Sequence, residues 1–244
     1  QSVALAEGTT RIQSYAFYGC PKLTEMNYNQ TTLTRIDDSA FRQTGFTAIT
    51  VPENVTYIGS SAFSNCDSLK TVTLPNGVTS MGTSMFAYDH ALESANIPTG
   101  ITAVPNTTFR NCEKLSSVTM HDGITSIGNS AFSGCTALTA IDLGNQITTI
   151  NSYAFYNCHN LVIASLPTAL QTIGSYAFEY TYKLADALTL PESLTTIESA
   201  AFYGSGIKQL TLSNPTALQY EYWGSTYYYT EVFAYCDSLV SVTL

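Results

Sequence analysis

Ile58-Gly59-Ser60-Ser61-Ala62-Phe63-Ser64-Asn65-Cys66-Asp67-Ser68-Leu69-Lys70-Thr71-Val72-Thr73-Leu74-Pro75 is one complete structural unit of this chain. Its last third, Leu69-x-x-Val72-x-Leu74, alternates apolar and polar residues, the two-residue period of a strand with one buried face. Pro75 cannot donate a ladder hydrogen bond and marks the strand's end. Ser60 stands three residues before Phe63, with a side-chain oxygen suited to accept from an orphaned helix N–H. Ala62, a strong helix former, precedes the Phe. The spacing predicts a short helical turn with Phe63 pointing inward, then a strand.

The same unit recurs along the chain. Aligned on Phe, ten copies centre on Phe17, Phe41, Phe63, Phe86, Phe109, Phe132, Phe155, Phe178, Phe202 and Phe233, with gaps of 24, 22, 23, 23, 23, 23, 23, 24 and 31 residues. Three residues before each Phe the chain has Ser, Asp, Thr or Asn in every copy. Units two and nine are one residue short, with Gly45 and Gly206 at the shortening. A single unit cannot bury its apolar side; stacked units bury theirs against neighbours. The expected fold is a repeat solenoid with strands about 4.8 Å apart in one long parallel β-sheet and short helical turns opposite. Alternate strand residues, among them Thr71, Thr73, Ser117, Thr119, Ile163 and Ser165, are expected to face solvent.

Of the 244 residues 45% are hydrophobic and 11% charged, and 18 acids against 9 bases give a formal charge of −9. No two basic residues are adjacent, and phosphate backbones are held by clustered Lys and Arg, so nucleic acid and anionic membranes are poor partners. No apolar run approaches the roughly 18 residues of a membrane-spanning helix. The opening Gln1-Ser2-Val3-Ala4-Leu5 lacks the layout of a signal peptide, so neither signal nor anchor is expected within this chain.

The pattern Ile-Gly-x-x-Ala-Phe-x-x-Cys-x-x-Leu-x-x-Val-x-Leu-Pro, closest at 58–75, 127–143 and 150–167, resembles the BspA-like, Treponema-type class of bacterial leucine-rich repeats. The resemblance implies a leucine-rich-repeat-like right-handed coil and a secreted or cell-surface, extracellular setting, where adhesion to host or microbial partners is the usual proposal; for this chain the expectation is recognition of proteins or glycans through a solenoid surface. It carries no binding residues to transfer. Departures from the pattern include Thr44, Asp89, Thr181 and Ser205 at the Cys position, and Gln13, Asp37, Pro105, Asn151 and Glu198 at the Gly position.

Cys20, Cys66, Cys112, Cys135, Cys158 and Cys236 all stand three residues after a Phe. Zinc ligands cluster at spacings of two to four residues, so these read as a column of buried thiols packing as small apolar groups. An occasional disulfide among Cys112, Cys135 and Cys158 is the competing reading. His90, His121 and His159 occupy three different repeat positions and read as exposed loop residues. Paired acids such as Asp37-Asp38 read as turn and cap residues. No phosphate loop, HExxH, EF-hand or recurring Ser/His/Asp frame is present. No catalytic residue, metal site or cofactor is therefore assigned, and the expectation is a non-enzymatic module.

The 31-residue gap before Phe233 is the local anomaly. Residues 213–229 contain five tyrosines and the only tryptophan, between a solenoid over 1–212 and a final partial repeat over 230–244. Insertions in repeat proteins map to loops on one face, often the binding face, and Tyr and Trp supply rigid contact area at low entropic cost. Tyr220, Tyr222, Trp223, Tyr227 and Tyr229 are the candidate ligand-binding residues, with glycan stacking as one mode. Packing of the insertion over the last coil is the competing reading, and Tyr228, where other units have Ile, is expected in the core. Tyr15, Tyr18, Tyr153, Tyr156, Tyr176 and Tyr203 flank the Ala-Phe pairs and are expected to form a ridge. A passive spacer is the rival to a recognition module. Strand-like residues at both ends raise the expectation of a longer parent chain or of end-to-end self-association.

Overall fold

Strand pairing follows the 23-residue period. In the computed structural model, which describes residues 1–28, 32–214, 221–223, 226–228 and 231–243 (the two three-residue segments by backbone alone), Ala48–Thr50, Thr71–Thr73, Ser94–Asn96 and Ser117–Thr119 lie side by side in parallel. Ile49 pairs with Val72 and Ala95 with Val118, so each central side chain faces inward between solvent-facing Thr, Ser, Ala or Asn. Ser2–Ala4 pairs with Glu25–Asn27, and Ala187–Leu190, Gln209–Leu212 and Ser241–Thr243 form a further parallel group. Together these groups are the expected sheet, divided into segments.

The break at coils six and seven has a cause in the residues. There this sheet is reduced, among the described residues, to a single bridge, Ala140 to Val162. The regular frame would turn Ala164 inward and Ile163 outward. Ile163 is instead buried and Ala164 exposed. Burying an Ile rather than an Ala removes several methylenes from water, at roughly 0.8 kcal/mol each. That gain outweighs the lost ladder bonds, and the outward assignment of Ile163 is corrected accordingly.

A second parallel ladder runs through Arg11–Ile12, Arg35–Ile36, Tyr57–Ile58 and Ser80–Met81, and again from Ala103–Val104 to Thr196–Ile197. Threonine reinforces it. Thr56 and Thr125 each donate their backbone N–H and their hydroxyl to the carbonyl of the corresponding residue one coil back.

The expected helical turns do not form; among the described residues there is no helix. Each segment around Phe is a run of overlapping turns, such as Ala16 N–H to Gln13 and Tyr18 N–H to Tyr15. In all ten copies the residues two before and two after the Phe have positive φ, a conformation that ends any helix. The freed N–H groups bond between coils instead. Phe17 donates to Ala40, Phe41 to Ala62, and the pattern continues to Phe202 and Val232. Rings ten deep stack along the axis, with centroids 5.2 to 5.8 Å apart from Phe17 to Phe233, within the favourable range for offset rings. The Ala before Phe is fully buried wherever it occurs from Ala40 to Ala201. It is small because the next coil passes over it.

Candidate interaction surface

Residues around each Phe alternate between the core and the turn face. Phe is buried from coil two to coil nine, while among its neighbours at two before, one after and two after the larger side chains, such as Tyr15, Arg110, Tyr153 and Tyr235, reach the outer surface and small ones such as Ser39, Ser64 and Ala87 stay buried. In coils seven to ten these positions are rich in tyrosine. Tyr153 stacks on Tyr176 at 4.9 Å and meets Tyr156 edge-on at 5.8 Å. Tyr156 leads to Tyr180, Tyr180 to Tyr203 and Tyr182, and Tyr203 to Tyr235 at 4.8 Å. His159 stacks on Tyr182 at 4.9 Å. The expected ridge is thus present and extends to Tyr180, Tyr182 and Tyr235, which the repeat frame had not singled out. Tyr15 and Tyr18 form a separate pair in the first coil, 5.9 Å apart. Glu179 is buried in the ridge, and desolvation raises its carboxyl above the ordinary value.

The ridge ends in a groove, and the missing residue of coil nine positions it. A Cβ on Gly206 would lie 1.8 Å from the Tyr182 carbonyl oxygen, so only glycine permits this close approach. Beside it lies a cavity of about 260 Å³ walled by Tyr180, Tyr182 and Tyr235, with Asp237 at its margin. Tyr182 is 55% exposed and Tyr235 69%. The other shortened unit repeats the device: a Cβ on Gly45 would lie 2.1 Å from the Pro21 carbonyl oxygen. Its adjoining groove is lined by Gln43, Thr44, Asn65 and Asp67, with no aromatic residue. Shortening a coil opens a groove; only the second is walled by rings.

Of the sequence-selected residues, Tyr222 and Trp223 lie in Glu221–Trp223 and Tyr227 in Thr226–Tyr228, two strands that pair antiparallel with Tyr222 opposite Tyr227. Tyr220 and Tyr229 lie outside the described residues, as do the side chains of the other three. Tyr228 pairs with Glu221 rather than continuing the second parallel ladder, which ends at Thr196–Ile197. Its side chain, expected in the core, lies outside the described residues.

The histidines, thiols and paired acids singled out in the sequence take separate places. His90 Nδ1 lies 3.2 Å from Asp67 Oδ1 at the exposed surface. His121 is half-buried rather than exposed, as is His159; its Nε2 lies 2.9 Å from the Ile101 carbonyl and its Nδ1 accepts from Gly123 N–H. All six thiols are free, and Cys20 departs from the buried column by being exposed. Cys112, Cys135 and Cys158 donate to the Phe carbonyl of the preceding coil at 3.0 to 3.1 Å. Burial pushes Cys66 and Cys158 up to about 12, so neither supplies a thiolate near neutrality. Among the described residues no three His, Cys, Asp or Glu side chains gather as metal ligands. The acid pair is divided in role. Asp38 caps the next coil by accepting Ser60 N–H at 2.8 Å, whereas Asp37 is buried and accepts from both Arg11 and Arg35.

The repeat geometry is shared with known proteins. A family model for the BspA type leucine rich repeat region matches residues 1–116 and 102–240, in six copies. The chain belongs to this family. A leucine-rich repeat protein from Bacteroides ovatus is similar over 99% of this chain and 74% of its own, at 21% identity and a TM-score of 0.52. The pneumococcal vaccine antigen PcpA is similar over 87% of this chain and 62% of its own, at 21% identity and a TM-score of 0.56. At such identities the likeness shows the fold alone. Comparison with curated proteins gives no match. Among the described residues no helix of this BspA-type chain is long and apolar enough to cross a membrane.

Proposed function

We propose that this chain is a non-enzymatic recognition module, secreted or displayed on a cell surface, that binds an extracellular protein or glycan. The observation that carries the reading is the ring-walled groove beside Gly206. Exposed rings beside a concavity are the ingredients of binding hot spots, and a sugar face or an apolar side chain stacks on either wall. Family membership supports the setting, since solenoids of this kind offer extended surfaces to partners. The insertion residues Tyr220, Tyr222, Trp223, Tyr227 and Tyr229 enter as part of this proposal. They belong to the stretch that joins Gln209–Leu212 to the turn bearing Tyr235.

Arrays of extracellular proteins and glycans test the reading, probed with this chain and with a variant whose residues 214–227 are replaced by a short Pro-Asn-Gly connection. Specific hits shared by both place binding on the solenoid itself, on its sheet or on the turn face that carries the tyrosine ridge. Hits lost in the variant move it to the insertion. No specific hit to either chain leaves a passive spacer and overturns the proposal.

A further inference from the structure

The residue directly after each Phe forms a column on the turn face, and in coils two to five that column reads Arg42, Ser64, Ala87, Arg110. Ser64 and Ala87 are buried, so two guanidinium groups stand at either side of a low floor. Three coil spacings of about 4.8 Å separate their backbones, roughly 14 Å. Between them runs a groove of about 240 Å³ that also admits Ser61, Ser84 and Tyr88. No carboxylate lines it, although acids outnumber bases two to one in the chain as a whole.

The two cations are poised and unused. Arg11 and Arg35 share Asp37, whereas Arg42 and Arg110 form no ion pair among the described residues. Each is instead held over a ring, Arg42 over Tyr18 and Arg110 over Tyr88, both at 5.9 Å. The Arg42 Nε is buried without a hydrogen-bond partner, a costly state for a charged donor. The floor adds another donor. Asn65 Nδ2 donates to Ser64 Oγ at 3.1 Å, which leaves the Ser64 proton free for an acceptor in the groove.

We infer that this groove is a site for an acidic saccharide, whose carboxylate or sulfate groups are held separately by Arg42 and Arg110 while its hydroxyls meet the serine floor. Guanidinium forks match planar and tetrahedral oxyanions. The span exceeds a single inorganic anion and suits one or two sugar units, and the floor provides no apolar pocket for a peptide side chain. The net charge of −9 repels long polyanions, so short oligosaccharides bind best and binding weakens as salt screens it. The inference rests on the recognition reading and names a ligand class at a second place on the same face.

Calorimetric titration tests it with three hexasaccharides at low salt: a heparin fragment, a hyaluronan fragment and neutral maltohexaose. The partners are the wild type, Arg110→Ala, and Arg42→Gln with Arg110→Ala. Arg110 is exposed, so its truncation leaves folding intact; thermal unfolding checks the double variant. The expected result is binding of at least one acidic probe, none of maltohexaose, a tenfold or greater loss in Arg110→Ala and abolition in the double variant. Preference for the heparin fragment assigns the site to sulfate, and equal binding of hyaluronan to carboxylate. Equal affinity of wild type and Arg110→Ala, or no preference for acid over neutral sugar, overturns it. If arrays show specific protein or neutral-glycan hits while both acidic probes fail, this inference falls and the recognition reading stands.

Discussion

Two buried acids place opposite signs on the pH dependence of stability. Asp89 substitutes for Cys in the thiol column; its Oδ1 accepts Cys66 N–H at 2.7 Å while Oδ2 has no partner. Burial, with a smaller contribution from Asp67, holds its carboxyl well above the ordinary value. With its folded pKa raised, it contributes stability that is full below the unfolded carboxylate pKa and is lost as pH rises through the folded value. Asp89→Asn keeps the acceptor and cannot ionise. Its advantage over the wild type is predicted to grow from about pH 4 upward, read from urea midpoints across pH. Asp37 is the mirror case. Desolvation opposes its charge, but hydrogen bonds from Arg11 and Arg35 prevail and lower its pKa. Its contribution is present above the unfolded value and lost as pH falls, so Asp37→Asn is destabilising near neutrality and loses that effect in acid. A pH-independent difference for either variant would contradict these roles. In the sequence both acids stood out as departures from a column, and Asp37 also read as a turn or cap residue, a role that falls to Asp38 alone. What each one faces depends on which coil lies above it.

The element that sequence patterns misread is the turn. Ser, Thr, Asn and Asp serve both as helix caps and as turn formers, so the recurring spacing before Phe satisfied either reading. The deciding signal lay two residues after Phe, where Gly19, Gly134, Gly204, Asn65, Asn111 and Asn157 occupy six of the ten positions. Those residue types tolerate positive φ, which no helix interior contains. The remaining four, including the exposed Gln43 at φ 60°, hold that conformation against their side chains. Gln43→Gly is predicted to stabilise the protein by about 0.5–1 kcal/mol, measured by denaturant unfolding; a loss of stability would show that the Gln43 side chain matters to the turn. Gly206 is constrained differently, by contact. Gly206→Ala drives a methyl into the Tyr182 carbonyl and is predicted to cost roughly 2–3 kcal/mol, with the ring-walled groove disturbed as well. Full retention of stability would mean that coil nine is not held so close.

For the molecule as a whole, the ten-fold Phe period was sufficient to predict the solenoid and its inward faces. The second strand ladder and the interruption at Ile163 were not legible, because both depend on how adjacent coils sit in register. The candidate site was legible in part. Tyr153, Tyr156, Tyr176 and Tyr203 stood out as a ridge, but Tyr182 and Tyr235 join it only because the shortened coil brings them to one groove. A stack in which each unit touches its neighbours thereby separates duties. Phe, Ala and the strand residues hold the coils together, while the turn face varies from hydroxyl-lined to arginine-walled to tyrosine-rich along the axis. The most direct test of recognition by this face takes the strongest ligand found on the arrays and compares its affinity for the wild type with that for Tyr182→Ala combined with Tyr235→Ala. Both side chains are exposed, so the thermal midpoint is predicted to hold while affinity falls at least tenfold. Unchanged affinity with intact folding would contradict the account and move recognition away from the ring-walled groove.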